Sequence, residues 1–494
     1  MQFLHITFDK IAVISQYNFS SQKMEFLHTT FDNIYKIAII SLMAYASCIV
    51  LRSVKNVFFG PLAKVPGPKL LALSNAFMLY RLIRKQRHVL WKYVQLQLVP
   101  KYGKLIRVGP NKIICSDKDE IKRILVTENL PKGQIYENFC ADKITRKTLG
   151  STVDVESGKK MRRLFSYGFS TKYLSSLEPL IKNCIRDLVT KIEEDMMEQG
   201  VVVNIVDLIR YTVLDIVGDN IFGKSFKSFS SEYNSSFDIF ELVQVEMRRM
   251  ILYMMGLINE RRKLDTKRND LLDIVINLTE DKENAMNDVK VRDQCLEFLV
   301  AGTETTSFTI TLALILLAKH PEKMQKVIKE FEDAFVDLES DDLPTLDELK
   351  KLPYLNAVIM ESMRIFPPLI GPVKETIEDM MICGYFIPKG TAITCNTYAT
   401  HHSKEYWGDD VEEFKPERWL EPEKLPKDAF LPFSAGSRNC IGMNHAWNTM
   451  RLILGTLIHR YNFEDIPNQK LEFINIFLIK LENGEYKLKA TKKK

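Results

Sequence analysis

The longest helical pattern in the chain spans residues 291–320 and stops immediately before Pro321. A helix of about 30 residues extends roughly 45 Å, and a proline disfavours helical geometry at the residue before it. The middle of the pattern, AGTETTS at residues 301–307, is a poor helix former, because Gly302 costs about 1 kcal/mol relative to alanine and the threonines are β-branched. Two interpretations are open. The threonine hydroxyls could bond back to carbonyls, or the helix could open locally and present a hydroxyl and the Glu304 carboxylate to a buried site.

The rest of the chain adds helices and a few strands to this element. Helix-patterned sequence occupies most of residues 170–351. Residues 103–116 predict a hairpin around the GPN at 109–111, and residues 383–394 predict a short hairpin around the PKG at 388–390. No Gly/Ser-rich or proline-rich linker interrupts the interior. The sequence therefore predicts a mainly α protein with a small β portion, folded as one large unit.

Charge and cysteine usage exclude several classes of protein. The 494 residues include 68 Lys+Arg and 63 Asp+Glu, a net charge of +5 that is too slight to indicate a nucleic-acid partner. The eight cysteines are scattered, with no C-x-x-C pair. A disulfide framework or a zinc cluster is therefore not expected.

The N-terminal region predicts a membrane anchor. Residues 34–51 are apolar enough to cross a bilayer as one helix, although Lys36 leaves an amphipathic or buried helix as the alternative. Arg52 and Lys55 follow, and basic residues on this side favour a cytosolic catalytic part. We expect a retained anchor, because the sequence shows no small-residue cleavage site.

These features divide the chain into four predicted regions. Residues 1–33 form an N-terminal segment with a short duplication, in which MQFLHITFD at 1–9 recurs as MEFLHTTFD at 24–32. Residues 34–51 are the anchor, and residues 52–69 are a proline-rich connector. Its segment at 58–69, FFGPLAKVPGPK, is expected to be stiff and extended. Residues 70–494 remain as the catalytic domain.

An acidic and two basic residues suggest a buried structural cluster. Glu361 and Arg364 lie at i, i+3 on a predicted helix, where such pairs are usually surface ion pairs of little worth. Apolar residues on the same helix predict burial, and a buried pair needs further partners. Arg418 in FKPERW is the candidate, since a guanidinium makes several fixed hydrogen bonds.

The segment FSAGSRNCIG at residues 433–442 places one cysteine in a loop of small residues. Cys440 could be structural, a nucleophile or a metal ligand. A nucleophile needs an oriented base, and His445 nearby has no evident third partner. A single thiolate fits heme iron, with the other four donors from the porphyrin. Flanking residues then acquire roles: Arg438 on a propionate, Phe433 shielding the sulfur, and Gly436 and Gly442 allowing close approach to the ring.

In these motifs the chain resembles the cytochrome P-450 superfamily of heme-thiolate monooxygenases, from about residue 58 to the end. Four signatures occur in the family's order: AGTETT at 301–306, Glu361-x-x-Arg364, Phe414-x-Pro416-x-Arg418, and the loop at 433–442. The proline-rich FFGPLAKVPGPK at 58–69 and the IRVGPNKI at 106–113 look like membrane-bound fungal members of natural-product pathways.

The resemblance implies roles for individual residues. Cys440 is the iron ligand of heme b, and Thr305 and Glu304 manage protons. Arg162 and Lys374 contact propionates, and Glu361, Arg364 and Arg418 form the structural cluster. Several positions depart from the family pattern. Gly158 stands where many relatives carry a histidine, and Lys374 replaces an arginine. Met443, His445 and Thr449 replace the usual basic, leucine and glutamate residues after the heme loop.

The resulting expectation is a monooxygenase that inserts one oxygen atom from O2 into a small apolar substrate. A terpenoid or polyketide intermediate would suit the fungal character. Electrons are expected from a membrane NADPH reductase, and the expected location is the endoplasmic reticulum membrane, single-pass, with a cytosolic catalytic domain. Two alternatives stay open: an O2-independent isomerase, dehydratase or peroxygenase, and a non-catalytic heme-binding protein.

Overall fold

The computed structural model describes residues 21–74, 94–139, 148–199, 201–229, 247–263, 270–277, 288–336, 342–475 and 478–493. The chain forms two compact units, Met1–Ala63 and Lys64–Lys494. The first contains one long helix. The second contains the remaining helices and all the described strands.

The N-terminal unit is built on helix α1, Ser21–Phe59. Within its part Asp32–Phe59, an 18-residue window has a mean hydropathy of 2.0 and is not buried, so length and composition suit a membrane span. The predicted anchor at residues 34–51 lies within α1. The predicted extended connector is wrong at its start, because the helix continues to Phe59 and only then gives way to the prolines. The first copy of the duplication, residues 1–9, lies outside the described residues.

The second unit is mainly helical, as predicted. Its helices are α2 Lys69–Leu73, α3 Val99–Tyr102, α4 Lys118–Lys122, α5 Val155–Phe165, α6 Thr171–Ser176, α7 Glu178–Gln199, α8 Ile205–Phe222, α9 Met247–Arg262, α10 Leu271–Asn277, α11 Asp288–Lys319, α12 Pro321–Ala334, α13 Leu346–Leu349, α14 Pro353–Ile365, α15 Thr397–His401, α16 Lys404–Trp407 and α17 Met443–Arg460.

Helix α11 is the centre of the packing. It contacts α8, α14 and α17, and 72% of its apolar window is buried, so it is a core helix although its length would also suit a membrane. A helix that is apolar around most of its circumference has to be surrounded by others. The helix is continuous through residues 301–307, so the local opening considered from the sequence is not observed.

The strands form small sheets at the edges of the helical core. They are β1 Leu105–Gly109, β2 Lys112–Cys115, β3 Val202–Asn204, β4 Val373–Glu375, β5 Met380–Ile382, β6 Tyr385–Ile387, β7 Ala392–Cys395, β8 Tyr461–Asp465, β9 Phe473–Asn475, β10 Ile479–Leu481 and β11 Lys487–Lys492. The largest sheet has the order β1-β2-β7-β4, with β2 and β7 parallel, and the others are β3-β11-β8, β5-β6 and β9-β10.

One predicted hairpin is confirmed and one is wrong. Strands β1 and β2 pair antiparallel around the predicted GPN turn. The second hairpin turns at Cys383 and Gly384 instead of at 388–390, and joins β5 to β6. Both turn residues have positive φ, 47° and 78°, which glycine tolerates without strain. The PKG segment leads into β7, which belongs to the largest sheet.

Candidate active site

A cavity of about 360 Å³ lies beside α11 in the second unit. Its walls come from α11, from the segment before β4 and from the loop before α17. Tyr136 and Leu149 from the segment before α5, Thr305 from α11 and Leu369 from the segment before β4 all contribute.

Cys440 supplies the only sulfur atom in the cavity wall within the described part of the chain. Its side chain is accessible from the cavity but enclosed by protein elsewhere, and this burial raises the pKa of the thiol. The Gly442 backbone and Arg162 act in the opposite direction. A nucleophile needs a depressed pKa and a free base, whereas His445 pairs with the Asn220 amide at 2.6 Å. The surroundings of Cys440 therefore do not fit a nucleophile.

The loop before α17 depends on one glycine. Gly436 has φ +75°, and a Cβ atom at this position would lie 1.9 Å from the Leu125 carbonyl oxygen. From the sequence, Gly436 was expected to allow the backbone to approach the porphyrin ring. The close contact observed at Gly436 is instead with the backbone of Leu125. Within the loop, the Cys440 N–H donates to the Phe433 carbonyl at 2.9 Å. At Gly442 a Cβ would meet only ordinary contacts, so its small size is not required by the surrounding protein.

Four cationic side chains line the same cavity: Lys132, Arg162, Lys374 and Arg438. Arg162 donates to the Asn439 carbonyl at 2.7 Å, and Lys374 donates to the Leu130 carbonyl at 2.7 Å. Burial, together with the charge of Arg438, lowers the pKa of Lys374 to about 8. Among the described residues, none of the four has a carboxylate within ion-pair distance.

Arg438 occupies space that is free because residue 158 is glycine. A Cβ atom at Gly158 would lie 2.0 Å from one guanidinium nitrogen of Arg438. From this position Arg438 donates to the Thr152 carbonyl at 2.8 Å and to the Leu149 carbonyl at 3.2 Å. The sequence departure at Gly158 is thus coupled to the placement of a predicted site residue.

The two predicted proton-handling residues are arranged differently. Thr305 lines the cavity, and its Oγ1 donates to the Ala301 carbonyl at 2.8 Å. Glu304 does not line the cavity; its carboxylate pairs with Arg210 Nε at 3.2 Å and with Lys480 Nζ at 3.6 Å. Neighbouring residues on a helix point about 100° apart, so only the threonine faces the cavity.

The predicted cluster on α14 is brought together and is fully buried. Glu361 and Arg364 are both 0% exposed in their side chains, and each of two guanidinium nitrogens of Arg364 lies 2.8 Å from a Glu361 oxygen. Arg418 donates to the same carboxylate at 3.0 Å, and Trp419 donates at 2.9 Å. Every lone-pair direction of the buried carboxylate is therefore used, as burial requires.

Sequence reasoning missed Glu297, which joins α11 to the cavity loop. Its carboxylate accepts from Thr148 Oγ1 at 2.5 Å and from the Gly150 N–H at 2.7 Å. A Cβ at Gly150 would lie 2.5 Å from it. Glu297 lies about two helical turns before Thr305 on α11. In the sequence, only this spacing indicated that the two side chains lie on the same face of the helix.

The cavity fits a heme in its donor set. It offers one thiol, apolar walls, and four cations without a carboxylate partner among the described residues. Buried cations need compensating anions, and a heme carries two carboxylates together with a flat apolar ring. The chemistry of these residues therefore matches the group that the sequence motifs imply.

The comparisons with known proteins agree with this fit. The family described as Cytochrome P450 matches residues 66–255 and 239–490. "Cytochrome P450 monooxygenase mpsF" of Macrophomina phaseolina (strain MS6) is 32% identical over 416 residues, covering 77% of this chain and all of the relative. "Cytochrome P450 monooxygenase LUC2" of Fusarium sp is 30% identical, covering 89% and 90%. "Trichothecene C-15 hydroxylase" of Fusarium sporotrichioides is 27% identical, covering 83% and 88%.

Proposed function

This chain belongs to the cytochrome P450 family, and from that membership we propose that it is a membrane-anchored heme monooxygenase acting on a small apolar metabolite. The observation that carries the proposal is the position of Cys440, a thiol in the wall of a cavity that four cations also line. When bound through a cysteine sulfur, heme supplies an electron-rich iron that favours cleavage of the O–O bond.

The protein's residues hold and shield the group. In the proposal Cys440 is the sulfur ligand, and Arg162, Lys374 and Arg438 bind the propionates through charge-assisted hydrogen bonds. Phe433 packs against the hydrophobic core and lines the cavity, and we propose that it shields the sulfur from water. Gly436 allows the tight course of the loop, and Gly442 is proposed to allow close approach to the porphyrin ring. The buried cluster of Glu361 with its two arginines ties α14 to the segment before this loop and so fixes the wall of the cavity.

Thr305 is proposed to hold the proton-donating position at the cavity. Its Oγ1 is anchored to the Ala301 carbonyl in the structure and can rotate toward the cavity that it lines. Glu304 is proposed to relay protons from the opposite side of the helix, where it is paired with Arg210. Because the Glu304 carboxylate lies away from the cavity, a proton that it donates has to pass around the surface of the helix. In this proposed proton transfer the ion pair between Glu304 and Arg210 would also break.

The substrate is proposed to be a small apolar terpenoid or polyketide intermediate. Side chains of Phe298, Leu369, Val217, Ile221 and Leu271 make the cavity walls apolar, and such walls orient a ligand by shape and exclude water. One relative is named as a hydroxylase of a trichothecene, which supports hydroxylation as the reaction here.

The electrons are proposed to come from a separate NADPH-dependent reductase in the same membrane. The apolar helix within α1 supports anchoring, and we propose the endoplasmic reticulum membrane, with one span and residues 70–494 on the cytosolic side. Protease treatment of intact microsomes tests this topology. Complete protection of residues 70–494 would contradict it.

Reconstitution of the full chain with a microsomal NADPH reductase tests the activity. We expect a substrate-dependent product that gains one oxygen atom from 18O2 and requires both NADPH and the reductase. Label from H2(18)O instead of 18O2 would contradict monooxygenation.

Replacing Thr305 by alanine should uncouple NADPH consumption from oxygenation. The variant keeps the heme contacts but loses the hydroxyl in the cavity wall, and general acid catalysis contributes at least about a hundredfold. We expect product per NADPH to fall at least about tenfold while hydrogen peroxide accumulates. The matched control is Thr309→Ala, because Thr309 Oγ1 bonds back to the Thr305 carbonyl at 3.0 Å and does not line the cavity. Full coupling in Thr305→Ala would refute the assigned role.

An O2-independent reaction is the second candidate, and the orientation of Glu304 favours it. The carboxylate is neutralised by two cations and faces away from the cavity. Product formed anaerobically without NADPH would establish this reaction in place of oxygenation.

A further inference from the structure

Lys132 and Lys374 lie directly opposite each other on neighbouring backbone segments. They form an isolated antiparallel bridge. The bridge is flanked by hydrogen bonds from the Gly133 N–H to the Val373 carbonyl at 3.0 Å and from the Glu375 N–H to the Pro131 carbonyl at 3.1 Å. This pattern defines a non-hydrogen-bonded pair, in which the side chains emerge on the same face and approach closely. Both side chains line the cavity.

Two lysines in this relation repel each other unless an anion lies between them, because like charges directly opposite are destabilising. The Lys132 ammonium donates to the Gly150 carbonyl at 2.5 Å and lies 4.8 Å from the centre of the Tyr136 ring. Burial, together with the charges of Arg438 and Lys374, lowers the pKa of Lys132 to about 8, although Glu297 acts the other way. Glu297 is itself bonded to Thr148 and Gly150. Backbone carbonyl groups therefore accept hydrogen bonds from these two lysines, but among the described residues no carboxylate forms a direct ion pair with either of them.

Position 158, beside these cations, offers no side chain to the cavity. Residue 158 is glycine, and Arg438 fills the space beside it. The Arg438 guanidinium donates hydrogen bonds to the Leu149 and Thr152 carbonyls. Lys132 contacts the same segment through the Gly150 carbonyl. It can therefore supply the donor that residue 158 lacks.

We propose that Lys132 is a further cofactor-binding residue of this protein, pairing with a porphyrin carboxylate between itself and Lys374 and compensating for the glycine at position 158. The inference rests on the proposed function, since it requires heme in this cavity. A carboxylate on a substrate has the same chemistry as a propionate, and the experiment below separates the two sources.

The test is heme loss from the full-length holoprotein into an excess of a heme-scavenging globin. We expect Lys132→Met to lose protoheme about tenfold faster than wild type, the factor that corresponds to about 1.4 kcal/mol. The same measurement is repeated with protoheme dimethyl ester, in which both carboxylates are blocked. With the ester, wild type and Lys132→Met should lose the group at equal rates. The matched control is Lys112→Met, a change at an exposed lysine of β2.

Apoprotein stability separates cofactor binding from a merely structural role. Removing one of two opposed buried cations should leave the melting temperature of the apoprotein unchanged or raise it, whereas loss of a structural lysine would lower it. Lys132→Gln provides a second variant if Lys132→Met does not fold, and Lys132→Arg should restore slow loss of protoheme.

The outcomes are separable. If the wild type gives the heme-thiolate spectrum but Lys132→Met loses protoheme no faster than the control, Lys132 does not bind a propionate. Faster loss with both protoheme and its ester also overturns the proposal, since the effect would then not involve the carboxylates. Binding of an anionic substrate that weakens in Lys132→Met, with unchanged loss of protoheme, assigns the lysine to substrate instead. A wild type without the heme-thiolate spectrum defeats the proposed function itself.

Discussion

Replacing Cys440 by serine is expected to abolish the strongly red-shifted Soret band of the reduced, carbon monoxide-bound protein. That band depends on a thiolate ligand, and Cys440 supplies the only sulfur atom among the described residues that line the cavity. Serine is nearly the same size, so the loop and the cationic residues remain able to hold a heme. We expect heme content to fall only partly, whereas oxygenase activity falls below detection. Difference spectra of membranes from wild type and variant provide the measurement.

The control for this change is Cys383→Ser. Cys383 is a free, half-buried cysteine in the β5–β6 turn and does not line the cavity. Its variant should keep the red-shifted band at full amplitude. A Cys440→Ser protein that retains the band would show that another residue provides the ligand, and the monooxygenase proposal would lose its main support.

Replacing Arg364 by leucine is expected to produce the largest loss of stability. The change leaves the Glu361 carboxylate at 0% exposure without two of its hydrogen bonds. It also removes the donors to the His401 and Glu413 carbonyls. Breaking a buried pair by removing one partner costs about 3–5 kcal/mol. Such a loss is a large fraction of a typical stability of about 5–15 kcal/mol. We therefore expect little folded holoprotein at 37 °C.

An exposed pair with the same spacing provides the comparison. Lys350 and Asp347 are also three residues apart and lie 2.9 Å from each other, but the side chains are 40% and 84% exposed. Lys350→Met should cost well below about 1 kcal/mol, because exposed ion pairs contribute little. Urea unfolding of the two variants measures both effects. Equal destabilisation by the two changes would show that burial of the Glu361 cluster does not determine its contribution.

The local sequence pattern was sufficient to predict many elements of the fold. The long helix, its end before Pro321 and the helix that starts at Pro353 were all predicted, because periodicity and proline positions are properties of short segments. The turn at Cys383-Gly384 was missed because the PKG segment carries an equally strong turn signal. Strand pairing decided between them: β7 pairs with β2 and β4 through residues distant in sequence.

Some contacts of the candidate site could also be predicted from the sequence, whereas others could not. The spacing of Glu361, Arg364 and Arg418 suggested a cluster, and the structure brings the three together. By contrast, adjacent residues Thr305 and Glu304 diverge, since one faces the cavity and the other reaches Arg210, nearly one hundred residues earlier. No local pattern could reveal that partner.

By itself, the sequence determined the helical character of the chain, the apolar N-terminal helix, and the single cysteine in a loop suited to bind heme. These depend on residue type and spacing along one segment. Tertiary structure alone decided which charged side chains of remote segments meet at the cavity. Lys132 faces Lys374 across 242 residues because two short segments pair through backbone hydrogen bonds. Arg438 enters the space at Gly158 because the loop before α17 packs against α5. Such contacts depend on the close packing of remote segments, and a glycine or lysine carries no sign of its partner in the sequence around it.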